Sequence, residues 1–140
     1  MPNPGPASSA FGNFVIDQQN AYRLVAFAKS VPVSAAGDTP MNVVTTSSFV
    51  PASIVTINSA GSAADVHLAT VGVYTAPAQG GSAVHATAAL TGQTSATFAY
   101  VRATSVANAI IAAPQLYVNV GTTVASGIVD VLVYGYDVQA

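Results

Sequence analysis

An all-β domain is what this sequence predicts, and three observations carry the expectation. Strand-like stretches rich in Val, Ile, Thr, Tyr and Phe recur at short spacing between clusters of Gly, Pro, Ser and Asn. No segment of helical length shows a 3.6-residue apolar period. The closing run, Ile128-Val-Asp-Val-Leu-Val-Tyr-Gly-Tyr-Asp-Val138, is β-branched or aromatic at most positions. About eight or nine short strands follow from this, and a sandwich, a jelly roll or a small barrel would pack them economically. No fixed period repeats along the chain, which argues against a solenoid or a propeller. At 140 residues a single domain is expected, able to bury roughly two-thirds of its unfolded surface.

Residues 1–14 read as an extended arm ahead of a domain spanning 15–140. Pro2, Pro4 and Pro6 favour polyproline-type backbone without internal hydrogen bonds, and Gly5, Ser8, Ser9 and Gly12 add little packing power. Phe11, Phe14, Val15 and Ile16 are the first apolar anchors. Two readings of the arm stay open: an unstructured terminus, or a tether whose prolines and aromatics (Pro4, Pro6, Phe11, Phe14) dock on a neighbouring subunit.

Ala21–Ala28 is the first strand candidate. Pro32, between Val31 and Val33, confines its stretch to an edge or a bulge. Gly37-Asp-Thr-Pro40 reads as a turn, Met41–Thr46 as a strand, and Pro51 as a reset before a strand at Ser53–Asn58. A turn at Ser59–Ser62 leads into Asp65–Tyr74, where Val66 and Leu68 share one parity while Val71 and Val73 share the other. That phase slip predicts a bulge or bend near Ala69 and Thr70. Thr75–Gly81 is the clearest connecting loop. Ala83–Thr91 places Val84, Ala86, Ala88 and Leu90 on one face, and Thr97–Arg102 follows a turn at Gly92–Ser95. Thr104–Ala113 admits a helical turn or a strand, with Ile110 and Ile111 buried either way, and Pro114 ends any helix there.

Leu116–Val120, the loop Gly121–Gly127 and the closing run together read as a long antiparallel hairpin. In the closing run Val129, Val131 and Val133 share one face, and Leu132, Tyr134, Tyr136 and Val138 share the other. A sheet with one wet side would not be apolar on both faces. One face is therefore expected in the domain's core and the other against a second sheet or a second molecule.

Charge is the compositional anomaly. Charged residues are 6% of the chain, against about 25% in ordinary soluble proteins. There is no glutamate; Arg23, Lys29 and Arg102 are balanced by five aspartates, for a formal net charge of -2. No field of either sign can build up to steer a nucleic acid or an anionic membrane, so neither is an expected partner. No apolar run is long enough for a membrane helix, and the N-terminus lacks the basic and apolar regions of a secretory signal. The absence of cysteine excludes a disulfide framework and thiolate chemistry. A soluble protein made in a reducing compartment is the plain expectation. So little charge leaves little repulsion between copies, which suits a molecule packed against neighbours.

Catalytic, metal and cofactor sites are not expected. His67 and His85 have no Cys or Glu to complete a zinc site, and only scattered aspartates are left to help. No Gly-x-Ser-x-Gly elbow accompanies the many serines, and no glycine-rich phosphate loop opens a helix. Asp130 and Asp137 fall on opposite parities of one strand and cannot face each other as a glycosidase pair. Asp65 and Asp38 read as capping and turn residues. Asp130 shares parity with Leu132 and Tyr134, so partial burial would require Arg102, a tyrosine hydroxyl or backbone N–H partners.

Two blocks carry a family resemblance: Asp65-Val-His-Leu-Ala-Thr-Val-Gly-Val-Tyr-Thr-Ala-Pro-Ala-Gln-Gly-Gly81, and Pro114-Gln-Leu-Tyr-Val-Asn-Val-Gly-Thr122 followed by Asp130-Val-Leu-Val-Tyr-Gly-Tyr-Asp137. With the size, the charge poverty and the proline-rich arm, they resemble the jelly-roll cement, or decoration, proteins on the heads of tailed bacteriophages, nearest to that of a short-tailed phage infecting Bordetella. The resemblance implies a jelly-roll-like antiparallel β-sandwich of about eight strands. It also implies a structural virion protein, made in the bacterial cytoplasm and bound outside an icosahedral capsid, where it stabilises contacts between major capsid protein subunits. No catalytic residue comes with it. Tyr117, Tyr134 and Tyr136 join the arm as candidate contact residues, and self-association into a homodimer or higher symmetric oligomer is expected. The alternatives are a receptor- or carbohydrate-binding sandwich, whose tyrosines would stack on sugar rings, and a tail or fibre subunit.

Overall fold

The structure, a computed structural model, describes residues 22–44, 48–59, 65–94, 99–103 and 110–138. Among them the chain forms β1 (Tyr22–Pro32), β2 (Gly37–Val43), β3 (Ser48–Asn58), β4 (Thr70–Ala76), β5 (Gly80–Ala89), β6 (Ala99–Ala103), the two-residue β7 (Ile111–Ala112), β8 (Leu116–Val120) and β9 (Ile128–Asp137). Every pairing is antiparallel. The arm at residues 1–14, with Pro4, Pro6, Phe11 and Phe14, lies outside the described residues.

One continuous path, β5-β4-β8-β2-β1-β9-β3-β6, links the strands, and β7 pairs with β3. The path divides into two four-stranded halves, β1-β9-β3-β6 and β2-β8-β4-β5. The chain alternates between them in the double Greek-key manner of a jelly roll. β2 joins the halves: Gly37–Met41 pair with β8, whereas Asn42 and Val43 pair with β1. The all-β jelly-roll expectation therefore holds.

The core is built from the inward residues of both halves. Val25, Val31, Ile54, Val129, Val131 and Val133 come from one half, and Met41, Val71, Val73, Val84, Leu116 and Val118 from the other, all nearly or fully buried. Small branched side chains suit the space between two sheets about 10 Å apart. At one end a polar network is buried within this apolar body. The Thr56 hydroxyl donates to Gln93 Oε1 at 2.6 Å, Gln93 Nε2 donates to Asn58 Oδ1 at 2.9 Å, and Gln93 is fully buried. Gln93 thereby pins the segment after β5 to β3.

Several local expectations change. The closing hairpin is not one: β8 pairs with β2 and β4, and β9 with β1 and β3. Residues 121–127 cross between the halves instead, bonded to Thr70 at one end (Gly121 N to Thr70 O, 3.0 Å) and Val33 at the other (Val124 N to Val33 O, 3.0 Å). Gly37–Pro40 belong to β2 and not to a turn. Pro40 pairs with Tyr117 of β8 on one flank only, so its missing N–H breaks no second ladder. Pro51 does not reset the chain; β3 runs through it with a bulge between Pro51 and Ser53. The slip near Ala69 is the start of β4 at Thr70, after a turn that buries Val66 and exposes Leu68. Val84 and Leu90 are buried as expected, but Ala86 and Ala88 are exposed, because three register shifts between β4 and β5 break the alternation. Ile111 is buried while Ile110 is 62% exposed.

Candidate interaction surface

Pairing register decides which side chains leave the core of the β1-β9-β3 sheet. Val129, Val131 and Val133 point inward, which turns Asp130, Leu132, Tyr134 and Tyr136 outward. Paired residues share a face, so Tyr22, Leu24 and Phe27 of β1 stand beside Tyr136, Tyr134 and Leu132. On the other flank Val50, Ser53, Val55 and Ile57 of β3 stand beside Tyr136, Tyr134, Leu132 and Asp130. A bulge in β1 between Leu24 and Ala26, and another in β3 between Pro51 and Ser53, keep these rows in phase.

The result is an apolar sheet exterior with a graded composition. Phe27, Leu132 and Val55 form its middle row, all half-buried. At one end Tyr22 stacks on Tyr134 (centroids 5.7 Å apart, planes 11° apart) and meets Tyr136 edge-on at 5.7 Å. The Tyr22 hydroxyl is hydrogen-bonded to Ser53. Tyr22 is 51% exposed and Tyr136 44%. At the other end Lys29 lies 3.4 Å from Asp130, so the charge there is internally cancelled. Three strands at about 4.8 Å spacing, over ~30 Å of length, give the face roughly 400 Å².

Asp130 is held as the sequence required, with a backbone N–H among its partners, joined by a serine hydroxyl. Its Oδ1 accepts the Ser30 amide at 2.8 Å and the Ser59 hydroxyl at 2.6 Å. Burial opposes ionisation of this carboxyl, but the Ser59 hydroxyl, the Ser30 amide and Lys29 outweigh it and hold its pKa below the usual carboxylate value. Ser30 sits at φ 58°, a left-handed conformation in the second bulge of β1 that the Asp130 carboxylate supports. Asp137 points inward as an ion pair with Arg23, confirming that the two aspartates of β9 face opposite sides.

Among the proposed contact tyrosines, Tyr134 and Tyr136 come together on this face. Tyr117 does not join them; it lies on β8 in the other half, beside Pro40 and Tyr74. Tyr22, Leu24, Phe27, Val50 and Val55 were not singled out from the sequence. The signal that finds them is the one seen in β9, apolar residues on both parities, repeated in Ser48-Phe-Val-Pro-Ala-Ser-Ile-Val-Thr-Ile-Asn58. His67 lies in the 65–69 turn, hydrogen-bonded to Asp65, whose carboxyl is held below its usual pKa first by that side-chain contact and then by the His67 amide. Among the described residues no three His, Asp, Glu or Cys side chains gather as a metal site.

Fold and surface together define a jelly-roll sandwich that presents a nearly uncharged, tyrosine-edged sheet exterior. No protein-family model matches the chain, and no curated protein or solved structure is found to be similar to it.

Proposed function

We propose that this chain is a structural virion protein: a cement, or decoration, protein that binds the outside of an icosahedral phage head and holds neighbouring major capsid protein subunits together. One observation carries the reading, the apolar exterior of the β1-β9-β3 sheet. A sheet face of this size in a charge-poor protein suits coverage by another protein. At about 25 cal/mol per Å², covering it contributes up to ~10 kcal/mol before the costs of association. The residue blocks that resemble cement proteins support the same reading, as does the jelly-roll topology. Many copies on one shell act together, so each contact need only be modest.

The test is sedimentation of purified chain with heads that lack it. Co-sedimentation that changes little between low and moderate salt is expected, because the face has almost no net charge. Leu132→Asp should abolish it while melting normally, and Leu68→Asp, in the 65–69 turn, should not. Failure of the unaltered chain to bind heads, or a steep loss with salt, would overturn the proposal. The half-exposed rings of Tyr22 and Tyr136 favour a second reading, a sandwich that stacks on neutral sugars. Binding on a glycan array that is lost in Tyr136→Ser, without binding to heads, would select it. A tail or fibre subunit would use the same surface, and imaging of purified particles separates that location from the head.

A further inference from the structure

We propose that the tip of the β4–β5 hairpin, residues 76–82, is a latched strap: it opens as a unit from the exterior of β8 and bares Tyr117 and Asn119 while the sandwich stays folded. Its path follows from register. Gly72 pairs with Asn119 and Asn119 with Asp38, so Gly72 and Asp38 lie about 10 Å apart across the sheet. On a straight strand Ala76 would stand ~13 Å beyond Gly72, and so about 16 Å from Asp38. Two more residues span at most ~7 Å, yet the Ala78 amide donates to the Asp38 carboxylate at 2.9 Å. The hairpin therefore curls across β8 after Tyr74, and its register shifts permit the curl. The crossing is on the outer side, because Val118 and Val120 fill the core and turn Tyr117 and Asn119 outward. Asn119 is nonetheless only 8% exposed: Gln79 donates to its Oδ1 at 2.8 Å, and its own side-chain amide donates to Asp38 at 2.9 Å. Tyr117, level with Tyr74 where the curl begins, lies under the same path.

What closes the strap is local. Pro77, Ala78 and Gln79 are exposed, so the tip gains little from apolar burial. Ala78 and Gln79 are left-handed at φ 56° and 60°, a conformation that costs side chains other than glycine, and opening relieves that cost. Against it stand the Asp38 and Asn119 contacts and two bonds within the hairpin, Gly80 N to Pro77 O at 3.0 Å and Ser82 N to Thr75 Oγ1 at 2.8 Å. The core strands bury their valines instead, so the strap opens at a fraction of the free energy of global unfolding. Opening uncovers a second strip, aromatic and amide-bearing, in the half of the sandwich opposite the β1-β9-β3 face, and it does not depend on what covers that face.

Native-state hydrogen exchange of the full chain, read by NMR, tests the strap. The amides of Ala78, Gly80 and Ser82 should exchange together and at least about tenfold faster than those of β9. Asp38→Ala should speed the three by about another tenfold and leave β9 unchanged. Nitration followed by mass spectrometry reports the strip beneath: Tyr117 should react several-fold faster in Asp38→Ala, with Tyr136 in the other half alike in both proteins. Tip amides as slow as those of β9, or Tyr117 indifferent to the loss of Asp38, would overturn the proposal. Ala78→Asn supplies a variant of opposite sign, since it keeps the amide and suits the left-handed backbone. It should slow exchange at the tip by roughly threefold. Should Asp38→Ala loosen β9 as well, this second variant decides, and tip exchange no slower than in the parent would reject the strap.

Discussion

Asp130 shows how much one carboxylate can organise. It is bonded to the Ser30 amide, the Ser59 hydroxyl and Lys29, tying a bulge of β1 to the end of β3 across β9. Asp130→Asn should lower stability by about 1–2 kcal/mol, measured by urea unfolding at neutral pH. Its folded pKa is depressed, so the stabilisation is complete above the unfolded value near 4 and fades as the pH falls through the folded value. The Asp130→Asn protein should accordingly lose less stability on acidification than its parent. A parent and variant of equal stability at neutral pH would show that the carboxylate contributes nothing. Gln93 is the buried counterpart. Gln93→Ala removes the side chain that Thr56 and Asn58 share as a partner and should cost about 2–4 kcal/mol by the same measurement.

At the scale of elements, the turns and close approaches hold the strain. Between β4 and β5 the chain turns at Ala78 and Gln79, both left-handed at φ 56° and 60°, closed by Gly80 N to Pro77 O at 3.0 Å. Such a turn prefers Asn-Gly. The strained pair is held by Asp38, which accepts the Ala78 amide at 2.9 Å and the Asn119 side chain at 2.9 Å, and by Gln79 donating to Asn119 at 2.8 Å. Ala78→Asn keeps the amide and relieves the backbone, so a gain of about 0.5–1 kcal/mol is expected in thermal unfolding. Gly135 on β9 is the opposite case: a Cβ there would collide with the Val50 carbonyl at the β3 bulge. Gly135→Ala should therefore cost at least ~2 kcal/mol and loosen the tyrosine end of the face.

At the scale of the molecule, one sheet exterior is apolar where water would ordinarily favour polar residues. Phe27, Leu132 and Val55 are the test of its purpose, because their replacement by charge leaves the core untouched. Phe27→Asp should parallel Leu132→Asp: heads no longer bound, melting temperature within a few degrees of the parent. A loss of folding in both would instead assign the row to the core. Much of this surface was legible in β9, where the parity of Leu132, Tyr134 and Tyr136 predicted a second covered face. Its other two rows were not, since Tyr22 and Val50 join Tyr136 through pairings separated by over a hundred and by more than eighty positions in the chain.

By itself the sequence determined what local chemistry can determine: β-branched runs with a period of two, turn residues between them, a body with few charges, and two apolar faces on the last strand. Which strands pair was decided only by the tertiary structure. Leu116–Val120 and Ile128–Val138 look like hairpin neighbours, yet each pairs with strands drawn from elsewhere in the chain and buries its valines in the core between the two halves. The physical reason is that backbone hydrogen bonds are indifferent to sequence separation once the loop is closed, while side-chain burial is not indifferent to which sheet a strand joins. The same choice places Tyr117 apart from Tyr134 and Tyr136, and brings Tyr22 to meet them.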